Sequence, residues 1–408
     1  MYKAKVFQVL KIFEMKNALF SLGLTAFCLL PSLVFAQTEK QVSDTTGYNA
    51  IIPVSKQNLL RDIDVIMNMQ YALRNEFTDG KYTESHFNMN QWRLEIKGKV
   101  FDKVYYRLRQ RYTRSIEPQS EDNMSRATDI AMIRVDVSPK FSISAGKLCA
   151  DFGGFEFDLN PIDIYEYADI LEQADNFLAG VGGSWRPNTK NEFNFQVLNS
   201  RTASFEELYG NVPGIEPAKA PLAYVANWRG SLFGGKIKTI WSYSYFTEAE
   251  KTHMDYIALG QQYVGKKFSI AYDFQYSDEG LDRTGIVSNT IPDALYPYAV
   301  EKTFYTSHWI KADYKVSKKV NLSFVGYVDY AKWKDNLDPQ KTSDDVRTAY
   351  GFIPTIEYYP FEKLNLRFFA NWIGRVYQYS DYSKQRFGAA DYNTGIFQIG
   401  FVTPLLIL

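Results

Sequence analysis

The feature that most constrains this chain is a two-residue alternation of apolar and polar side chains, sustained far longer than in an ordinary strand. Ile63, Val65, Met67, Met69, Tyr71 and Leu73 interleave with Asp62, Asp64, Asn68, Gln70 and Arg74. Phe268, Ile270, Tyr272, Phe274 and Tyr276 interleave with Lys267, Ser269, Ala271, Asp273 and Gln275. Successive side chains of a strand point to opposite faces, so each such segment is apolar on one side and polar on the other. Strands of globular domains average about five or six residues. These segments reach the roughly 9–11 residues that a tilted strand needs to cross a bilayer. A soluble sandwich would bury the apolar face under a second sheet, whereas a transmembrane barrel would turn it to lipid and wrap the polar face around a lumen.

Gln91 to Tyr112, QWRLEIKGKVFDKVYYRLRQRY, carries the same pattern together with a row of positive charge. Trp92, Leu94, Ile96 and Val100 share one face of its first strand, and Val104, Tyr106 and Leu108 one face of its second. Arg93, Lys97, Lys99, Arg107, Arg109 and Arg111 have the opposite, polar parity, as do Arg74 and Arg134 on neighbouring strands. In a pore these cations form a positive wall close to passing solutes, and the arginine fork suits carboxylate and phosphate groups. A purely structural ladder, with Glu95 and Asp136 neutralising the cations across strands, stays open beside that reading.

Short turns fall at 101–103, 138–140, 187–190, 234–235, 265–266, 317–319 and 361–363. Longer polar segments fall at 78–86, 113–126, 150–177, 200–221, 247–252, 278–301, 331–347 and 376–391. Seven turns alternating with eight loops imply sixteen strands, and short turns on one side with long loops on the other is the asymmetry of outer-membrane barrels. The segments 178–186, 222–231 and 252–263 are the weakest of the strands, and losing two of them would leave fourteen. Asp391 to Leu408, DYNTGIFQIGFVTPLLIL, supplies an apolar closing strand. The expectation is an all-β fold, a closed antiparallel transmembrane β-barrel of sixteen strands over residues 61–408.

Ala18 to Ala36, ALFSLGLTAFCLLPSLVFA, follows Lys3, Lys5, Lys11 and Lys16 and ends on a small residue. Residues 1–36 therefore read as a signal peptide cut before Gln37, with Met1 or Met15 as the start, and 37–60 as a polar leader. Removing four lysines and one glutamate takes the formal charge from 0 to −3, so the mature chain has no global electrostatic attraction for nucleic acid. Only Cys149 remains, which precludes an internal disulfide. Tyr 30 and Phe 29 are a heavy aromatic load that interfacial belts would use. His86, His253 and His308 sit apart from one another, and no G-x-S-x-G or phosphate-loop pattern occurs, so neither an enzyme nor a cofactor or metal site is expected.

The loop after the fifth strand is acidic, with Asp151, Glu156, Asp158, Asp163, Glu166, Asp169, Glu172 and Asp175. GKLCADFGGFEFDLNPIDIYEYADILEQADNFLAGV, preceded by RLEIKGKVFDKVYYRLRQRYTR, resembles outer-membrane porins of Bacteroidota, grouped with the phosphate-selective porin O and P type. The likeness covers most of residues 60–408 and is strongest between 87 and 185. It implies a sixteen-stranded, usually trimeric barrel in the outer membrane of a Gram-negative bacterium, whose third extracellular loop folds into the lumen as a constriction. It also implies an anion preference, although phosphate-selective members use lysine-rich ladders where this chain has arginines and an acidic loop. Mapped onto this chain, the constriction carries Asp151, Glu156, Asp158, Asp163 and Glu166. Gly153-Gly154 would permit its inward turn and Pro161 would hold an extended path. A basic wall facing an acidic loop suggests a transverse field that orients dipolar solutes. The expected function is passive diffusion of small hydrophilic or anionic solutes through a homotrimer embedded in outer-membrane lipid. A plugged barrel serving adhesion or envelope structure, and an outer-membrane hydrolase assembled from separate strands, are the rivals.

Overall fold

The structure, a computed structural model, describes residues 63–334 and 338–407; the expected signal peptide and leader lie outside the described residues. Sixteen strands follow one another: β1 Ile63–Thr78, β2 Lys81–Phe101, β3 Val104–Arg111, β4 Thr128–Ser138, β5 Phe141–Cys149, β6 Phe177–Asn188, β7 Asn191–Asn199 and β8 Leu222–Leu232, then β9 Ile237–Ala249, β10 Thr252–Val264, β11 Phe268–Leu281, β12 Glu301–Lys315, β13 Val320–Trp333, β14 Asp345–Tyr358, β15 Arg367–Tyr379 and β16 Tyr392–Leu406. Each pairs with its neighbours in sequence, and antiparallel pairing of β1 with β16 closes the sheet into a barrel. Closure satisfies the backbone N–H and C=O groups of every strand, which lipid cannot do.

The alternation sorts side chains as the sequence anticipates. Along β11, Ala271, Asp273, Gln275, Ser277 and Glu279 are buried inside the barrel, while Phe268 and Tyr272 are exposed on the outside. Among the described residues no helix is long and apolar enough to cross a membrane. The apolar girdle is made instead by outward strand residues such as Trp92, Leu108, Ile133, Phe195, Tyr243, Phe352 and Ile399.

Six of the seven short turns stand where they were expected, the seventh, at 361–363, widens to 359–366 because β15 begins only at Arg367, and 178–186, 222–231 and 252–263 lie in β6, β8 and β10, which makes the count sixteen rather than fourteen. Two of the eight longer segments are corrected. Residues 78–86 are not a loop: β1 and β2 run on through them and meet in a two-residue turn at Asp79-Gly80, with φ of 49° and 73°. Positive φ at both central positions is the hairpin geometry that matches strand twist, and Asp-Gly is a pair that adopts it. Residues 247–252 likewise shrink to a turn at Glu250-Lys251 between β9 and β10.

Candidate functional site

The register of β2 and β3 sets Arg93 opposite Arg111, Glu95 opposite Arg109 and Lys97 opposite Arg107, so the cations climb one wall in rungs. Like charges facing each other across strands repel, and Asp129 of β4 relieves the strain. Its carboxylate, 2% exposed, lies 3.2 Å from Arg93 Nε, 3.3 Å from Arg109 Nε and 2.8 Å from Arg111 Nη2. Glu95 takes Arg107 at 2.9 Å, Asp136 takes Arg134 at 3.1 Å, Glu76 takes Arg74 at 3.2 Å, and Lys97 stands 4.0 Å from Asp64. Sequence reading found Glu95 and Asp136 but missed Asp129, which strict alternation would send to the lipid side with Ile133 and Val135. A register shift pairs Arg109 with Ile130 and Gln110 with Thr128, leaving Asp129 as the extra residue of a bulge. A bulge re-aims a side chain, and here it turns a carboxylate inward.

Residues 150–176 connect β5 to β6 and bond to inward-facing groups on much of the barrel. Gln196 of β7 accepts from the Asp151 N–H (2.8 Å), and Ser242 of β9 donates to the Phe152 carbonyl (2.6 Å). Asp273 of β11 accepts from the Glu156 N–H (2.7 Å), and Gln70 of β1 donates to the carbonyls of Ile162 (2.8 Å) and Ile164 (3.2 Å). The acids then meet a second set of arginines. Arg229 pairs with Asp158 (2.7 Å) and Asp151 (3.5 Å), Arg367 with Asp163, Arg375 with Glu166 (3.4 Å) and Asp169 (2.7 Å), and Arg347 with Asp169. Arg229, Arg347, Arg367 and Arg375 were not singled out from the sequence, although Arg367 and Arg375 share strand parity with the buried Asn371 of β15.

Glu156 differs from its neighbours. It is 1% exposed and has no cationic partner among the described residues; its carboxylate accepts from the Ala168 N–H (2.7 Å) and Gln275 Nε2 (2.8 Å). Burial, with the Asp273 charge beside it, pushes this carboxyl well above the usual carboxylate range despite those hydrogen bonds. Burial also lifts Asp151 to about 6, with Arg229 pulling it back. Gly154 is required by close approach: a Cβ there would lie 2.6 Å from the Asp273 carboxylate. Pro161 does not hold an extended path; it opens a 3-10 turn, Pro161–Asp163, capped by the Asn160 side chain.

A cavity of about 870 Å³ lies between this segment and the wall formed by β1–β3 and β14–β16, lined by six arginines (74, 93, 111, 114, 347, 375) and three carboxylates (Glu166, Asp169, Glu172). A second, of about 380 Å³, is lined by Arg107, Arg134, Arg186 and Arg229 with Asp151 and Glu192. Between them these cavities touch every expected ladder residue except Lys97, Lys99 and Arg109. Lys97 and Lys99 line a third, of about 540 Å³, again with Arg107 and Arg134. Farther out, a chain of ion pairs joins four connections: Glu121 to Arg201 (3.0 Å), Arg201 to Glu248 (3.3 Å), Glu248 to Arg283 (3.0 Å) and Arg283 to Asp175 (2.7 Å). His86 comes together with Glu76 and Glu84 near the β1–β2 turn, their ligand atoms within 4.8 Å of one another.

The family model described as phosphate-selective porin O and P matches residues 63–401. No curated protein matches the chain. Among solved structures, the outer membrane channel DcaP of Acinetobacter baumannii aligns with a TM-score of 0.55 at 9% identity, covering 83% of this chain and 97% of its own. The anion-selective porin from Comamonas acidovorans aligns with a TM-score of 0.55 at 11% identity, covering 84% and 98%. OprB of Pseudomonas putida gives 0.53 at 11%, covering 86% and 96%. At these identities the likeness to the three structures is one of fold. The family match runs through the whole circuit of strands whose closure and lipid-facing girdle are described above, and the chain therefore belongs to the phosphate-selective porin O and P family and forms a porin channel in the Gram-negative outer membrane.

Proposed function

We propose that small hydrophilic solutes diffuse passively through this barrel, that anions are preferred, and that residues 150–176 narrow the lumen. The observation that carries the reading is the excess of guanidinium over carboxylate in the cavity of about 870 Å³, six arginines against three acids. In a confined, partly desolvated passage such an excess raises the local concentration of anions. The anion preference named for the Comamonas protein and for the family agrees with that direction. Cavities on either side of the segment favour a through-path over a plugged barrel. Asp151, Glu156, Asp158, Asp163 and Glu166 then serve to fix the segment against the wall, and Arg74, Arg93, Lys97, Arg107, Arg109, Arg111 and Arg134 to line the route.

Arg114 gives the cleanest test, because it lines the cavity, is exposed, and has no ion pair among the described residues. In planar bilayers under a KCl gradient the native protein is expected to show open steps with a reversal potential on the anion side, and Arg114→Glu to move it toward cations. A correctly folded but silent barrel would reject the channel with its open path, and an unmoved reversal potential would reject the role of this arginine wall. The homotrimer implied by the resemblance belongs to the same reading. Native mass measurement of the detergent-extracted protein should return three copies, and a monomer would exclude it.

A further inference from the structure

We infer that the cavity of about 870 Å³ is a binding station for small zwitterions, free amino acids in particular, with the carboxylate held at Arg93, Arg111 and Arg114 and the ammonium facing Glu172. This rests on the reading of the barrel as an open channel.

The positive pole is built by sharing. Asp129 is divided among three guanidiniums, so the cluster keeps a surplus of positive charge that Asp129 alone does not cancel. Arg93 is 3% exposed, yet among the described residues its Nη1 has no hydrogen-bond partner, and neither has Arg111 Nε. Buried donors left unpaired are costly, and a carboxylate is a geometric match for a guanidinium.

The negative pole lies on the segment opposite. Glu166 and Asp169 are neutralised by Arg375 and Arg347, but Glu172, open to the cavity, has no cation within ion-pair distance among the described residues. A ligand that completes this site must bring an acceptor to the arginines and a donor to Glu172. An inorganic oxyanion meets only the first demand and is repelled by Glu172, whereas an amino acid meets both. The volume also exceeds what a small oxyanion needs and falls within the range of sites for organic molecules.

Alanine and lactamide are isomers, one zwitterionic and one neutral, so they separate charge recognition from size. Liposomes carrying the native protein are expected to swell several-fold faster in alanine than in lactamide. Glu172→Gln should abolish that advantage and speed the entry of sodium lactate, while the protein still gives open steps in KCl. Equal rates for the two isomers in the native protein, or an alanine advantage that survives Glu172→Gln, would overturn the zwitterion site and leave the channel standing. Loss of KCl steps in the native protein would instead remove the channel and this site with it.

Discussion

Asp129 shows how one misaligned residue can decide the electrostatics of a wall. Placed inward by a bulge, it is the sole carboxylate paired with Arg93, Arg109 and Arg111 among the described residues, and at 2% exposed it has little water to lean on. Removing one member of a buried charged cluster typically costs about 3–5 kcal/mol, because the remaining charges stay buried without compensation. Asp129→Asn should therefore lower the temperature at which the folded barrel converts to the unfolded form on heat-modified electrophoresis. The barrels that remain folded should be more anion-selective than the native ones. An unchanged conversion temperature would show that the three guanidiniums find other partners. Parity alone was enough to put Arg93, Arg107, Arg109 and Arg111 on one polar face, since each lies in an unbroken run. It failed at Asp129 because a bulge changes parity without leaving a clear mark in residue type.

At the scale of elements, residues 150–176 are held by contacts of two kinds. Arginine pairs hold Asp158, Asp163, Glu166 and Asp169, whereas Glu156 docks on Asp273 and Gln275 with no cationic partner among the described residues. The sign of the pH response follows from this difference. The Glu156 carboxyl is raised in the folded state, so its contribution to docking is fully present below the ordinary value of about 4.3 and is lost as pH rises through the raised one. Single-channel current noise should grow from mildly acidic to alkaline pH, and Glu156→Gln should flatten that dependence. Noise that is the same across the range in the native protein would remove the acid-dependent dock. The acidity of this segment was legible in the sequence, but its partners were not. The arginines that hold it lie as much as 209 residues away along the chain, and no local pattern links positions so remote. Local signals did serve the turns, apart from Asp79-Gly80 and Glu250-Lys251, which the polar residues around them made look like longer loops.

For the molecule as a whole, one rule repeated sixteen times makes the architecture readable: alternate, turn, alternate, and close β16 on β1. The arrangement of the lumen does not follow from that rule, because it depends on which strands the long connection reaches once the barrel has closed. The chain of ion pairs from Glu121 through Arg201, Glu248 and Arg283 to Asp175 has a consequence for how such a protein can evolve. Surface loops usually diversify independently, since each carries its own contacts. Here four connections share a buried circuit in which Glu248 is 3% exposed and serves two arginines at once. An exchange at Arg201 or Arg283 strands a charge that belongs to another loop. The tips between these anchors are free to drift, while the five charged positions are bound to change together or not at all.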